Sequence, residues 1–356
     1  VKTLDKNISE IIQQGTIIPA HPLALNEQLQ LDEKRQRALT RYYMASGAGG
    51  VAVGVHTTQF EIRKPEINLF EPVLKIAADE IEKANRNEPF VKVAGIVGPT
   101  ETALREAELA VKHGYHLGLV SMGGLATYSE KELIKRAEAI AETIPVFGFY
   151  LQPAVGGRIL SYEFWRDFAD ITNVQAIKVA AFNRYQTLDV VRAVCGSSRR
   201  DQIALYTGND DNIIADLITP YRFAINNEIV EKRFVGGLLG HWAVWTKKSV
   251  ELFHEIKRVL NKDDKSQLQE LLSQGIAVTD MNAVIFDAAN SFRGCIAGIH
   301  EVLRRQGLME GTWCLSPEEK LSAGQAEEID RIYKMYPQLT DDEFARQFSE
   351  INYAHQ

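Results

Sequence analysis

Cysteine is scarce in this sequence: three in 356 residues, Cys195, Cys295 and Cys314, with no C-x-x-C spacing. An odd number of scattered thiols argues against a disulfide framework and sets the expectation of a reducing, cytoplasmic setting. Long apolar runs are missing too. None approaches the roughly 20 residues of a membrane span, and Val1 to Gln14 carries charges throughout instead of a signal-peptide core. Nor is there an excess of positive charge. With a net charge of -7 and no run of lysines or arginines longer than a pair or so, the chain lacks the electrostatic footprint of a nucleic-acid-binding surface. No G-x-G-x-x-G follows the first apolar run, which removes the main signal for a dinucleotide cofactor. What remains, 45% apolar and 24% charged residues, is the composition of a globular chain able to bury a large core.

Eight short apolar runs recur along the chain: Thr16-Ala20, Val51-Val55, Val91-Val97, Leu117-Ser121, Pro145-Tyr150, Ala176-Ala180, Ile203-Thr207 and Phe234-Leu239. Most are separated by segments of helical periodicity with charged faces, such as Glu33-Ser46, Glu71-Asn85, Glu101-His113 and Lys131-Glu142. Ser129 with Glu132 spells a capping box, Thr100 follows Pro99, and Asn209 precedes two acidic residues, all helix-start signals. Eight β-then-α units predict a (β/α)8 TIM barrel rather than an open doubly wound sheet. After Trp245 only helical pattern remains, through Lys248-Leu260, Gln267-Gln274, Asn282-Arg304, Pro317-Tyr336 and Asp341-Ile351. The expected division is therefore a barrel over 1–245 and a C-terminal helical subdomain over 246–356.

Within the sixth run, period-two alternation puts Ile177 and Val179 on one face and Ala176, Lys178 and Ala180 on the other. A lysine among alanines has space beside it and little water around it. Desolvation lowers an amine's pKa, so Lys178 is a candidate nucleophile for imine formation with a carbonyl; the plainer reading is a strand-end lysine that reaches solvent or a carboxylate. In the fifth run the same alternation sets Phe147 and Phe149 outward and Val146, Gly148 and Tyr150 inward. Tyr150 then stands at the strand end as a candidate acid/base, or as an amphipathic core tyrosine. His56-Thr57-Thr58-Gln59 ends the second run, and its two threonines suit a carboxylate or an ordinary turn.

Taken together, these residues resemble the dihydrodipicolinate synthase / N-acetylneuraminate lyase superfamily of class I aldolases. Tyr150-Leu151-Gln152-Pro153 is similar to that family's Y-N-x-P, whose tyrosine relays protons, and Ile177-Lys178 to its I-K, whose lysine forms the Schiff base with a 2-keto acid. Thr57-Thr58 resembles the threonines of its G-T-T-G-E carboxylate loop, Gly208-Asn209-Asp210 its G-D-D, and His21-Pro22-Leu23 stands where the family has T-P-F. The resemblance covers roughly Gly15 to Leu260. It implies a Schiff-base lyase, aldolase or dehydratase, with Lys178 and Tyr150 catalytic. Thr57, Thr58, His21, His56, Gly208 and His241 would contact a 2-keto acid or sugar-acid-derived substrate. It also implies a homo-oligomer, dimer or tetramer, and no cofactor, since the imine is its own electron sink.

The departures from the family pattern point away from dihydrodipicolinate synthase itself. Met122-Gly123-Gly124 replaces P-Y-Y, Val155 falls where the synthases have an arginine, although Arg158 is near, and Gly236 to His241 does not carry G-x-S-x-x-N. Three other readings compete. His21, His56 and His241 would end neighbouring strands and offer imidazoles to a metal-dependent hydrolase or isomerase; Gly236-Gly237 would suit a phosphate; and a non-catalytic binding barrel would retain Lys178 and Tyr150 as relics.

Overall fold

The computed structural model describes residues 2–262 and 265–353. The ends of the two expected domains, Val1 and 354–356, lie outside the described residues. Ten strands occur among the described residues: β1 Ile17–Pro19, β2 Gly50–Val53, β3 Val91–Ile96, β4 Leu117–Ser121, β5 Val146–Leu151, β6 Val174–Ala180, β7 Ala204–Thr207, β8 Tyr221–Ile225, β9 Glu228–Lys232 and β10 Phe234–Leu239. Eight form one sheet in the order β1-β10-β7-β6-β5-β4-β3-β2, and β1 and β2, at the two ends of that order, are bridged in parallel through Ala20 and Ala52. This is the nearly closed (β/α)8 barrel expected from the alternation. After β10 every described regular element is helical.

The chain divides into two compact units, one of Val1–Thr16 with Val91–Leu238 and the other of Ile17–Phe90 with Leu239–Gln356. The first holds β3 to β9 and most of β10. Its helices start where side chains supply the missing acceptors: the Ser129 hydroxyl accepts from the Glu132 N–H at 3.3 Å while the Glu132 carboxylate accepts from the Ser129 N–H at 2.8 Å. Ser161 caps Tyr162–Ala169 and Asn183 caps Arg184–Gly196 in the same way. Those two caps follow β5 and β6 and fix how the chain leaves the strands that carry the site.

The second unit holds β1, β2 and the tail. Here two expected helices are corrected. The pattern Asn282-Arg304 is split, because Leu268–Ile285 ends and Asp287, Ser291 and Phe292 take left-handed backbone before Cys295–Arg305 begins. The Asp287 carboxylate holds that turn, accepting from the Gly294 N–H at 3.0 Å and the Asn290 amide at 2.7 Å. Glu319 does not open a helix at Pro317, and that helix runs over Gln325–Met335. Its carboxylate instead accepts from the Ile296 N–H at 2.8 Å, at the start of Cys295–Arg305, and satisfies a helix-terminal donor.

The hairpin of β8 with β9, in the first unit, adds to the expected pattern. Asn226 and Asn227 both adopt positive φ, which is the backbone a two-residue hairpin turn requires. Asn209 likewise is not a helix cap. The short helix Ile213–Ile218 follows Asn212, and Asn209 instead cross-links the loops after β6 and β7.

Candidate active site

β5 and β6 pair in parallel with Phe149 opposite Lys178 and Tyr150 opposite Val179, after a register irregularity between Val146 and Phe147. Register partners on adjacent parallel strands share a face, so Phe149 lies on the lysine's side of the sheet and Tyr150 on the other. This corrects the expected orientation of β5. The Tyr150 ring packs 5.1 Å from that of Trp165 on the helix Tyr162–Ala169, and its oxygen meets the Leu160 N–H at 3.3 Å and the Leu160 carbonyl at 3.4 Å. The hydroxyl is spent on the helix layer and does not reach the lysine. Gly148 shares this outer face, and a Cβ there would fall 2.6 Å from the Phe168 ring; its missing side chain admits the helix, not a ligand.

Lys178 is buried, with 7% of its surface exposed. Its ammonium stands 4.4 Å from the centroid of the Phe149 ring, a cation–π contact that replaces part of the lost water. Burial pulls the Lys178 pKa down to about 8, against which the negative charge of Asp210 pulls upward. At pH 7 roughly a tenth of such an amine is neutral. The room for its stem comes from Gly208, where a Cβ would sit 2.5 Å from Lys178 Cε and 2.9 Å from Ala180 Cβ. The Gly208 N–H is already donated to the Val179 carbonyl at 2.7 Å, so this residue shapes the lysine's surroundings instead of binding a ligand through its amide.

A buried carboxylate that the sequence pattern does not single out holds the loop after β7. Asp216, fully buried, accepts from the Thr207 hydroxyl at 2.7 Å, the Asn209 amide at 3.0 Å, the Tyr221 hydroxyl at 2.9 Å and the Arg184 guanidinium at 2.5 Å. Asn209 also accepts from the Phe182 N–H at 3.0 Å, tying the loop after β6 to the loop after β7. The Asp210 N–H bonds back to the Gly208 carbonyl at 3.1 Å, which fixes the turn that carries the Asp210 carboxylate. Arg158 is committed elsewhere, donating to the Leu125 and Tyr128 carbonyls.

In the second unit, several expected substrate contacts have structural duties. His21 is fully buried, with Nδ1 2.7 Å from the Pro22 carbonyl and Nε2 2.9 Å from the Thr40 hydroxyl. Both ring nitrogens are engaged, and burial lowers the pKa to about 4. The Thr58 hydroxyl donates to the His21 carbonyl at 2.7 Å and accepts from the Gly54 N–H at 3.0 Å, closing the turn after β2 and leaving the side chain nothing for a carboxylate. Thr57 is buried in the same turn, and the half-buried His56 packs its ring 5.8 Å from that of Phe60. His241 is buried against Trp245, hydrogen-bonds Asn282, and has a pKa lowered to about 4 by burial. Among the described residues no group of three His, Cys, Asp or Glu side chains is arranged to hold a metal ion. The phosphate reading loses its support as well: a Cβ at Gly236 would collide with the Thr16 backbone, so the glycine serves close strand packing.

The fold and the buried lysine define a (β/α)8 barrel with an amine on the sixth strand. Solved structures share this architecture across nearly their whole length. Dihydrodipicolinate synthase from Oceanobacillus iheyensis aligns with a TM-score of 0.71 at 16% identity, covering 93% of this chain and 99% of that one. A complex of CdNal from Clostridium difficile with mannosamine aligns at 0.70 and 15% identity, covering 90% and 99%. N-acetylneuraminate lyase from Fusobacterium nucleatum complexed with pyruvate aligns at 0.69 and 17% identity, covering 92% and 99%. No family model and no curated protein matches the sequence. No helix among the described residues is long and apolar enough to cross a membrane.

Proposed function

We propose that this protein is a divergent member of the dihydrodipicolinate synthase / N-acetylneuraminate lyase superfamily and a Schiff-base-forming lyase, aldolase or dehydratase, acting on a 2-keto acid through Lys178. The observation that carries the reading is the buried Lys178 ammonium against Phe149, with a pKa lowered to about 8 by desolvation. A buried amine near neutrality is the nucleophile that imine chemistry needs, and it needs no metal or organic cofactor. The fold shared with a pyruvate-complexed lyase supports the substrate class. The departures at Met122-Gly123-Gly124 and Val155 support an activity other than dihydrodipicolinate synthesis. A homo-oligomer in a reducing cytoplasm completes the reading, in keeping with three buried cysteines outside any disulfide.

Borohydride reduction in the presence of pyruvate and longer 2-keto acids tests this. The wild type should give a stable adduct whose mass maps to the peptide containing Lys178, and Lys178→Ala should give none. An adduct that persists in Lys178→Ala, or no adduct with any keto acid, sinks the proposal.

A further inference from the structure

With Tyr150 turned to the helices, the face that carries Lys178 has no phenol from β5 to move protons. The register partner of the lysine on that strand is Phe149, a hydrocarbon. Yet imine formation requires two transfers: a proton must leave the ammonium, and another must reach the oxygen that departs. The turn that passes the lysine stem at Gly208 carries a carboxylate, that of Asp210. Gly208 lies against the lysine stem, Asp210 follows two residues later in a turn closed by its own N–H on the Gly208 carbonyl, and the Asp210 side chain is 8% exposed. The Asp210 charge pulls the Lys178 pKa upward. The turn is rigidly mounted through Asn209 and the buried Asp216, which is how a loop carboxylate is kept in place for chemistry.

We infer that Asp210 is the acid/base of imine formation at Lys178. This rests on the reading of Lys178 as the nucleophile. The Asp210 carboxylate takes a proton from the Lys178 ammonium and leaves a neutral amine. The amine's lone pair attacks the keto carbon, the C–O π pair moves to oxygen, and the nitrogen's extra proton passes to that oxygen to give the carbinolamine. Asp210, now a carboxylic acid, returns its proton to the hydroxyl; the C–O bond breaks, water leaves, and the nitrogen lone pair closes the C=N bond of the iminium. Ammonium and ketone have become iminium and water, and Asp210 ends as it began.

Asp210→Asn separates this role from that of a bystander charge, because the two predict opposite signs. The Asp210 charge raises the Lys178 pKa. Removing it lowers that pKa further and leaves more free amine at pH 7, so a bystander's loss speeds borohydride trapping with pyruvate. Loss of the acid/base slows it, by roughly 10²–10⁴-fold, even as the pH at which trapping levels off moves down. Asp210→Glu should recover part of the rate, which a folding defect would not explain. Asp210→Asn trapping at the wild-type rate or faster overturns the inference while leaving the Schiff-base reading intact. A wild type without a Lys178 adduct overturns both.

Discussion

Phe149, not Tyr150, is the register partner of Lys178, and the lysine's ammonium lies 4.4 Å from the centre of its ring. The ring favours the charged form of the amine, whereas burial favours the neutral one. The site is thus tuned by two neighbours of opposite effect to burial, one aromatic and one acidic.

Removing the ring is the first test. Phe149→Leu deletes a cation–π contact of about 0.5–2 kcal/mol, equivalent to about 0.4–1.5 pH units. Trapping by borohydride with pyruvate should rise with pH to a plateau above about 8 in the wild type, and the same plateau should be reached at lower pH in the variant. An unchanged profile means the ring does not stabilise the ammonium.

Gly208→Ala should block the site without unfolding the protein. The added methyl would meet Lys178 Cε at 2.5 Å and Ala180 Cβ at 2.9 Å. The stem must move, at an overpacking cost of about 1–3 kcal/mol. Thermal melting should fall by a few degrees while Lys178 trapping drops by more than about tenfold, a 1 Å misplacement being enough for such a loss. Retention of full trapping would show that the stem does not depend on the glycine.

Tyr150→Phe should be nearly silent in chemistry. Among the described residues its hydroxyl bonds the Leu160 backbone, so the variant loses about 0.5–1.5 kcal/mol of stability and keeps its trapping rate within about twofold. Turnover measured beside melting decides this. A variant that folds normally yet loses most of its turnover restores the phenol to the mechanism.

Acid should destabilise the fold through its buried imidazoles. His21, His116, His241 and His300 all have folded pKa values lowered to about 4, chiefly by burial. Between about 4 and 6.5 the unfolded chain binds protons at these four that the native one does not, so their stabilisation is complete above 6.5 and falls with pH below it. Four carboxyls act oppositely, Asp211 and Asp342 through smaller upward shifts that burial also causes. Burial raises Asp341 to about 6 and Glu319 to about 7, so the native state holds protons there that the unfolded chain releases, and that stabilisation fades as pH rises through 6 to 7. Urea unfolding at pH 5 should take up protons overall, because four strongly shifted imidazoles outweigh two strongly and two weakly raised carboxyls. Net proton release on unfolding would contradict the neutral imidazoles.

Much of the architecture is legible because it is written in local chemistry. The eight apolar runs fall on the eight barrel strands, and the Ser129–Glu132 capping box opens its helix as expected. The hairpin turn at Asn226 and Asn227 is equally local, yet it lies outside the β-then-α alternation and so goes unread by it. The split of Asn282-Arg304 is less visible, since the helical period continues through Asp287 and only the bonds to Gly294 and Asn290 show the chain turning there.

By itself the sequence determined the order of the eight barrel strands and the lysine on a small-residue face, because alternation within one strand needs no partner to be read. Tertiary structure alone decided the face of β5. A one-residue change of register reverses every side chain on a strand, and the irregularity at Val146 and Phe147 set that register. With it the tyrosine went to Trp165 and the phenylalanine to the lysine. The duties of His21 and Thr58 were settled in the same way, by hydrogen bonds to residues distant in sequence, and such partners exist only once the chain has folded.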